Sequence, residues 1–247
     1  MRDLKPIAKK HIPGFSLKKS AFGYFRFYNV HCSDVLVSAR QYKDSVRSTL
    51  AAALPVHPDA PKNWDSLAAL LIFLKYCRNK SARILDAGGE YYSVLLLQLS
   101  LLGYKNLVCI NLSFTENVVE RGIFFQPGDL TNTTYQDGYF NAIACLSVIE
   151  HGVEIHGYFK EMSRILKKGG ILFTSADYWD KHIDAGDRKL YGVPVRIFDS
   201  EDVLQIVQIA PHYGFKLIEP LHLKCAERVV NCDGLAYTFI YFALRKI

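Results

Sequence analysis

Apolar and polar positions follow two different periods along this chain. From Asn63 onward, short continuous apolar runs bounded by turn residues alternate with longer segments in which apolar residues recur every three or four positions. Runs of the first kind are typical of strands buried on both faces, and segments of the second kind are typical of amphipathic helices. Their alternation predicts an α/β fold with a mostly parallel sheet flanked by helices.

Seven runs have the length and composition of strands. In chain order they are ARILDAGG, NLVCIN, IFFQ, FNAIACLSV, ILFTSA, FKLIEP and AYTFIYFALRK. We expect helices in LAALLIFLKYC with Asp65 or Ser66 as its N-cap, in VLLLQLSLLG, near TENVVERG, in HGYFKEMSRILKKGG, and in EDVLQIVQIAPHYG with Asp199 or Ser200 as its N-cap. The segment HGYFKEMSRILKKGG has the clearest amphipathic pattern, and Gly169 and Gly170 are expected to end it.

Residues 1–62 do not follow this alternation. The segment SDVLVSARQYKDSVRSTLAAAL has helical spacing that stops before Pro55, and LPVHPDAPKN has the composition of a proline-rich connector. We therefore predict two parts. Residues 1–62 form an N-terminal extension that covers the site, and residues 63–247 form a single α/β domain.

Charge is distributed unevenly along the chain. The net charge is +6, and residues 1–30 contain seven basic residues against one acidic residue. A basic arm of this kind can contact phosphates, for example on nucleic acid, but charged chain ends are also commonly solvated and loosely held. We favour the solvated terminus and do not expect nucleic acid as a partner.

Composition excludes several classes of protein. Half of the 247 residues are apolar, which is enough to fill an ordinary core. The longest clean apolar run, Leu67 to Leu74, is far shorter than the roughly 20 residues that a membrane-spanning helix needs, and the N-terminus lacks the apolar segment of a secretory signal. We expect a cytoplasmic protein without a transmembrane segment. The six cysteines lack the close spacing of a zinc site, so neither a metal site nor a disulfide is predicted.

Candidate chemistry lies in the turns that follow the predicted strands. Ligands of open α/β sheets bind beyond the carboxyl ends of the strands, where glycine turns let the backbone approach and helix N-termini supply N–H donors. The first such turn is Asp86-Ala87-Gly88-Gly89. The later ones are Asn111-Leu112-Ser113, Gly128-Asp129-Leu130 and Ser147-Val148-Ile149-Glu150-His151.

The stretch from Arg83 to Ser175 resembles the class I S-adenosylmethionine-dependent methyltransferases. Within it, CLSVIEHGVEIHGYFKEMSRILKKGGILFTSADYW is similar to the core of members that modify small molecules and glycans. The resemblance implies a Rossmann-like, mostly parallel seven-stranded sheet and S-adenosylmethionine as the cofactor.

The resemblance also implies roles for individual residues. Asp86 and Gly88 match the loop that holds the methionine part of the cofactor, Asn111 falls where an acidic residue usually contacts the ribose, and Asp129 and Leu130 match the adenine site. The full set of cofactor-binding candidates is Asp86, Gly88, Gly89, Asn111, Leu112, Asp129, Leu130 and Ile149.

This chain departs from the family's pattern in its first loop. Glu90 and Tyr92 stand at the second and third glycine positions, and either side chain narrows the space for the cofactor. Asn111 donates as well as accepts and lacks the charge of a carboxylate, so we expect a weaker hold on the ribose. These departures support an alternative in which the chain is a catalytically inactive, methyltransferase-like binding or regulatory protein.

Two residues are candidates for a general base. His151 follows the fourth strand and has an ordinary pKa near working pH, although its imidazole could equally serve to hydrogen-bond the adjoining loop. Asp177 follows the fifth strand and opens the longest irregular segment, a kind of loop that often forms an acceptor pocket. Acceptor-binding candidates are Tyr178, Trp179, His182 and Arg196, with Tyr178 and Trp179 also explicable as anchors of that loop.

Taken together, the sequence predicts a methyltransferase that uses S-adenosylmethionine on a small molecule or a glycan. A nicotinamide-dependent oxidoreductase would share the sheet. It is disfavoured because the first loop lacks the full dinucleotide glycine pattern and the second strand ends in Asn111 instead of an acidic residue. Oligomeric state and acceptor identity are not predicted.

Overall fold

Ten strands form the main sheet in the computed structural model, which describes Phe25, residues 30–190 and residues 192–247. Two further short strands form a separate hairpin. The strands are β1 (Ser33–Val35), β2 (Arg83–Ala87), β3 (Asn106–Asn111), β4 (Val118–Glu120), β5 (Ile123–Pro127), β6 (Phe140–Leu146), β7 (Leu166–Tyr178), β8 (Lys189–Leu190), β9 (Val193–Pro194), β10 (Phe215–Leu217), β11 (Val230–Cys232) and β12 (Leu235–Lys246).

Helices cover the sheet, and two of the described ones, α4 (Ile155–Ile165) and α5 (Ser200–Ile209), begin at side-chain N-caps. At α4, the Glu154 carboxylate accepts hydrogen bonds from the backbone N–H groups of His156 and Gly157. At α5, Asp199 and Asp202 form a capping box, which confirms Asp199 as the N-cap. The helices are α1 (Ala39–Ala51), α2 (Lys62–Tyr76), α3 (Leu95–Leu101), α4 (Ile155–Ile165) and α5 (Ser200–Ile209), the last continuing into a 3₁₀ turn (Ala210–Tyr213).

The sheet order confirms the predicted Rossmann-like α/β fold. Along the main path the order is β1-β12-β7-β6-β2-β3-β5-β4, with β10 and β11 also pairing with β12. Strands β2, β3, β5, β6 and β7 are parallel, and β12 runs antiparallel to β7. Chain order reverses between β2 and β6, so the carboxyl ends of these two strands flank the place where open sheets of this kind bind ligands.

One predicted helix and two predicted helix boundaries are wrong. The segment near TENVVERG contains β4, which pairs with β5 through Val118 and Phe125 instead of forming a helix. Helix α2 begins at Lys62, so Asp65 lies inside it and is not its cap. Helix α4 ends at Ile165, where the Lys246 ammonium from β12 donates to the carbonyl oxygens of Ser163 and Leu166, and Gly169 and Gly170 already belong to β7.

Part of the predicted N-terminal extension joins the main sheet. Strand β1 pairs antiparallel with β12, Ser33 opposite Phe242, and the Thr238 hydroxyl donates to the carbonyl oxygen of Leu36. Most of the basic arm lies outside the described residues, so a covering role for residues 1–62 and the boundary at residue 63 stay predictions. Within the described ranges, no helix is both long and apolar enough to cross a membrane.

Leu36 offers a test of whether the segment before residue 63 is integral to the fold. Its side chain is fully buried in the core, whereas that of Leu50 on α1 is exposed. We expect Leu36→Ala to lower the free energy of unfolding in urea by about 2–4 kcal/mol, because truncation loses buried apolar contacts and leaves a cavity. The matched control Leu50→Ala should change it by less than about 0.5 kcal/mol. Equal, small effects would show that this segment is not part of the cooperative unit.

Candidate active site

Asp86 is a buried carboxyl group at the end of β2, directly beneath the glycine loop. Its side chain is 1% exposed, and within the described residues neither oxygen has a hydrogen-bond partner. Burial raises the pKa of Asp86 to about 7, with Asp65 adding to the rise and Lys62 opposing it. A Cβ atom on Gly89 would lie 2.4 Å from Asp86 Oδ2, so only glycine allows the loop to pass this close to the carboxyl group.

Gly88 brings the first loop against the turn that follows β6. Its φ of +88° is left-handed, and a Cβ atom there would lie 2.6 Å from Cγ2 of Val148. The Gly88 N–H donates to the carbonyl oxygen of Ile110 at 2.8 Å, which fixes the loop to β3 as well. The two turns at the reversal of the sheet order are therefore packed together, and glycine is required for that contact.

Asn111, at the end of β3, fastens the glycine loop from below. Its side-chain amide donates to the carbonyl oxygens of Gly88 and Gly89 at 3.1 and 3.0 Å, and to Oε1 of Glu90 at 3.2 Å. Its oxygen accepts from the backbone N–H of Ser113 at 2.8 Å. Asn111 is the residue predicted to contact the cofactor ribose, but its amide N–H groups are already bonded to the loop.

The two bulky residues of the first loop make their contacts with residues other than Asp86. Tyr92 is 54% exposed and meets the ring of His57 edge to face, 5.6 Å between centroids. Glu90 is half-buried, and its carboxylate accepts from Asn111 and from the Ser113 hydroxyl.

Lys62 places a buried ammonium group at the same edge of the sheet. Its Nζ donates to Asp65 Oδ2 at 2.7 Å and to the hydroxyl of Ser147, and lies 4.3 Å from the ring centroid of Phe239. The hydroxyl of Ser175 also donates to Asp65 Oδ2, at 2.7 Å. Desolvation lowers the pKa of Lys62, but the attraction of Asp65 and other carboxylates outweighs it, so the pKa is raised and the ammonium is charged at neutral pH. This network links α2 to the ends of β6 and β7.

Glu150 and Asp177 form a second pair of buried carboxyl groups. Glu150 Oε1 accepts from the backbone N–H of Asp177 at 3.0 Å, and Asp177 shares a side-chain hydrogen bond with Tyr237. Burial raises the pKa of both carboxyls, and the proximity of Glu150 raises that of Asp177 further, against the pull of Lys62. Both groups therefore retain protons at a higher pH than exposed carboxyls do.

A narrow cavity opens beside Asp177 and His151, the two predicted base candidates. Its walls come from the turn after β6, the end of β7, the β8–β9 hairpin and the β11–β12 hairpin. Burial lowers the pKa of His151 despite the nearby Asp177, so the imidazole is neutral at pH 7. The lining residues used below are His151, Asp177, Arg188, Leu190, Arg196 and Tyr237.

The adenine-site candidates occupy different environments. Asp129, in the turn after β5, accepts from the backbone N–H and the hydroxyl of Thr131, both at 2.7 Å, and Leu112 is exposed at the rim. Leu130 and Ile149 are buried in the core on the α4 side of the sheet. Their predicted contacts with the cofactor stay predictions.

The acceptor candidates are divided between core and surface. Tyr178 has no exposed surface, and its hydroxyl is bound to Ser200 and to the carbonyl oxygen of Leu223, so it anchors the loop and is not placed where an acceptor could stack on it. Trp179 is partly buried beneath the guanidinium of Arg228, and His182 is exposed near Asp199. Arg196 alone of the four lines the cavity, where it is paired with Asp202 at 2.6 Å.

Sequence reasoning missed Lys62, Ser147, Arg188 and Tyr237. Lys62 and Asp65 are three residues apart where the proline-rich connector meets the helix. Opposite charges at this spacing on a helix are typical of an ion pair. Tyr237 is one of several aromatic residues in the β12 sequence, so nothing in the neighbouring sequence indicates that its hydroxyl meets a buried carboxyl group. Among the described residues, no group of histidine, cysteine, aspartate or glutamate side chains has the arrangement of a metal site.

Comparisons with known proteins agree with this geometry. Residues 82–174 match the sequence family described as "Methyltransferase domain", a range that includes the glycine loop, Asn111 and the turn after β6. Sterol 24-C-methyltransferase erg6 of Schizosaccharomyces pombe is 21% identical over 202 residues, which are 67% of this chain and 51% of that protein. The chain therefore spans about half the length of this curated relative.

Solved methyltransferase structures share the fold. A S-adenosylmethionine-dependent methyltransferase from Methanosarcina mazei has a TM-score of 0.54 at 13% identity, covering 71% of this chain and 97% of that one. A S-adenosylmethionine-dependent methyltransferase from Mesorhizobium loti has a TM-score of 0.51 at 14% identity, covering 74% and 97%. Geranyl diphosphate methyltransferase in complex with S-adenosylmethionine has a TM-score of 0.51 at 14% identity, covering 78% and 97%.

These structural likenesses establish the fold, and the sequence match places a methyltransferase domain within it. The sheet order, the glycine loop over a buried Asp86 and the match over residues 82–174 all agree. The chain has the Rossmann-like fold of S-adenosylmethionine-dependent methyltransferases, and residues 82–174 match the methyltransferase-domain family, with Glu90 and Tyr92 in the first loop.

Proposed function

We propose that this chain binds S-adenosylmethionine at the turns after β2, β3, β5 and β6 and methylates a small-molecule or glycan acceptor held beside His151 and Asp177. The observation that carries the proposal is Asp86, a fully buried carboxyl group whose two oxygens have no hydrogen-bond partner in the described chain. A buried polar group without a partner is costly and rare, and at a ligand-binding edge it is explained by a ligand.

The residues at this edge suit a cationic ligand with a polar tail. Asp65, Asp86, Glu150 and Asp177 are all buried, and Lys62 is the ammonium group hydrogen-bonded within this cluster. A sulfonium ion close to such a group of carboxyls is stabilised by their negative charge, most strongly where water is excluded. Gly89, Glu90 and Asp129 would hold the remainder of the cofactor, with Asn111 fixing the loop from below.

The bound cofactor would supply an electrophilic methyl group, which leaves this chain with the tasks of alignment, proton removal and exclusion of water. His151 is the base best suited to remove the acceptor's proton, because its lowered pKa keeps the imidazole neutral at pH 7, and a neutral imidazole carries one unprotonated ring nitrogen. Asp177, fixed by Tyr237 and Glu150, would stabilise the imidazolium only in its ionised form, and because its pKa is raised to about 8 this support grows as the pH rises above neutrality.

The cavity restricts which acceptors fit. Leu190 and Val195 form an apolar wall of the cavity, and Arg188 and Arg196 also line it. An acceptor with an ionisable hydroxyl or acidic C–H and an apolar body matches the chemistry of these walls, but the cavity, about 20 Å³ as it stands, must widen to admit it.

Binding of the cofactor is the first expected outcome. Isothermal titration should give saturable binding of both S-adenosylmethionine and S-adenosylhomocysteine. Asp86→Asn should weaken S-adenosylmethionine binding by about 10-fold and S-adenosylhomocysteine binding less, because only the former carries the positive sulfonium. The control Asp137→Asn, on an exposed carboxylate, should leave both affinities unchanged. No heat from the wild-type protein at millimolar ligand would leave the catalytically inactive alternative.

The same carboxyl group predicts a pH dependence of stability. Between about pH 4 and pH 7 the folded chain keeps the Asp86 proton that the unfolded chain has released, so the free energy of unfolding falls as pH rises through this window, by about 4 kcal/mol for this group. Denaturant unfolding at pH 5 and pH 8 should show a smaller decrease for Asp86→Asn than for the wild type. An identical decrease would mean that Asp86 ionises normally.

The role of His151 is tested by its replacement. On any acceptor, from a panel of small alcohols, phenols and carbon acids, that the wild type methylates, His151→Asn should lower kcat by about 100-fold while leaving the S-adenosylmethionine affinity unchanged. His156→Asn is the matched control, since His156 lies on α4, where its ring hydrogen-bonds Tyr213. A kcat for His151→Asn within twofold of that of the wild type would remove His151 as the base.

A further inference from the structure

The end of β3 and the glycine loop depart from the usual arrangement, in which one acidic residue after the strand accepts hydrogen bonds from the ribose. A ribose presents two neighbouring hydroxyl donors, and a carboxylate can accept from both at once with charge assistance, whereas an amide oxygen is neutral. In nucleotide-binding sheets an acidic residue accepts from a ribose hydroxyl. At the end of β3 this chain has Asn111, and that side chain is already committed to the loop.

Asn111 has little capacity left for a ligand. Its two amide hydrogens are shared among the carbonyl oxygens of Gly88 and Gly89 and the carboxylate of Glu90, all within 3.2 Å. Its oxygen accepts from the backbone N–H of Ser113. These bonds tie β3 to the loop after β2, so the amide acts as a clamp between two turns.

Glu90 brings a carboxylate to the same place. Its Oε1 is 3.2 Å from Asn111 Nδ2 and 3.3 Å from the Ser113 hydroxyl, and its backbone N–H donates to the Ser93 hydroxyl at 2.9 Å. Oε2 makes no hydrogen bond to the part of the chain that the structure describes. The carboxylate is therefore held by one oxygen, with the other available, beside the end of β3.

We propose that Glu90 is the ribose-binding carboxylate of this chain and that Asn111 is the residue that positions it, an inference that rests on the proposed cofactor. Glu90 accepts from the ribose hydroxyls through Oε2, while Oε1 stays on Asn111 and Ser113. The glutamate that interrupts the glycine pattern then compensates for the missing acidic residue at position 111.

The geometry makes this assignment specific to Glu90. Asp129 is another carboxylate of the neighbouring turns, but it lies in the turn after β5, where it bonds to Thr131, whereas Glu90 is bonded directly to Asn111 at the end of β3. Asp86 lies beneath Gly89 and is 1% exposed. Glu116 is exposed on the segment between β3 and β4, and makes none of the hydrogen bonds that hold Glu90.

Ligands that lack one ribose hydroxyl separate this role from a purely structural one. Isothermal titration would measure the affinities of S-adenosylhomocysteine and of its 2′-deoxy and 3′-deoxy analogues for the wild type, Glu90→Gln and the control Glu116→Gln. We expect the wild type and Glu116→Gln to bind at least one deoxy analogue about 10-fold more weakly than the parent. Glu90→Gln should bind the parent about 10- to 100-fold more weakly and should no longer distinguish it from the analogues.

Thermal unfolding of the same variants guards against a misfolded loop. If Glu90 served only to fasten the loop, Glu90→Gln would weaken all three ligands by the same factor and keep the wild-type preference for the parent, which would overturn the assignment. Unchanged affinity in Glu90→Gln would overturn it as well. Failure of the wild type to bind S-adenosylhomocysteine at all would instead refute the proposed function on which it rests.

Discussion

Burial of negative charge at one edge of a parallel sheet is the constraint on which the rest of this structure depends. Asp65, Asp86, Glu150 and Asp177 lie at that edge with Lys62 as the ammonium group bound among them. Burial raises the pKa of Asp86, Glu150 and Asp177, so these three carboxyls keep their protons to higher pH than exposed ones do. The edge is therefore prepared for a positive ligand, and part of its present neutrality comes from bound protons.

The turns at this edge are held in place by contacts with one another. Gly88 packs against Val148, Gly89 passes over Asp86, and Asn111 clamps both glycine carbonyls. Such packing fixes the loop before anything binds, which lowers the conformational entropy lost on binding. It also explains how Glu90 and Tyr92 are tolerated, since Tyr92 faces outward and Glu90 joins the hydrogen bonds of the clamp.

The sheet was accessible from the sequence because buried strands leave continuous apolar runs, and all seven predicted runs contain strands. The predictions that failed concern element bounds and pairings that depend on residues distant in the chain. Helix α4 ends early because Lys246, 80 residues away, reaches the carbonyl oxygen of Leu166, and β4 exists because it pairs with β5. A local sequence pattern carries no information about either of these contacts.

The candidate site was accessible to a similar degree. Asp86 and Asp177 lie at the carboxyl ends of β2 and β7, and His151 lies in the turn after β6, so topology alone brings them to one edge. For Tyr178 the sequence left two roles open, acceptor contact and loop anchor, because β7 is buried on both faces and a local pattern does not show which partners the hydroxyl meets. Lys62 and Tyr237 come from elements at opposite ends of the chain, and only the folded sheet brings them to the same carboxyls.

Proton exchange on cofactor binding tests the central claim most directly. Titrations of S-adenosylmethionine and S-adenosylhomocysteine at pH 7, repeated in buffers of different ionisation enthalpy, give the number of protons released by each. If the carboxyl cluster is the cation site, the sulfonium lowers the pKa of these groups, and S-adenosylmethionine releases clearly more protons than S-adenosylhomocysteine. Equal proton release by the two ligands would contradict it.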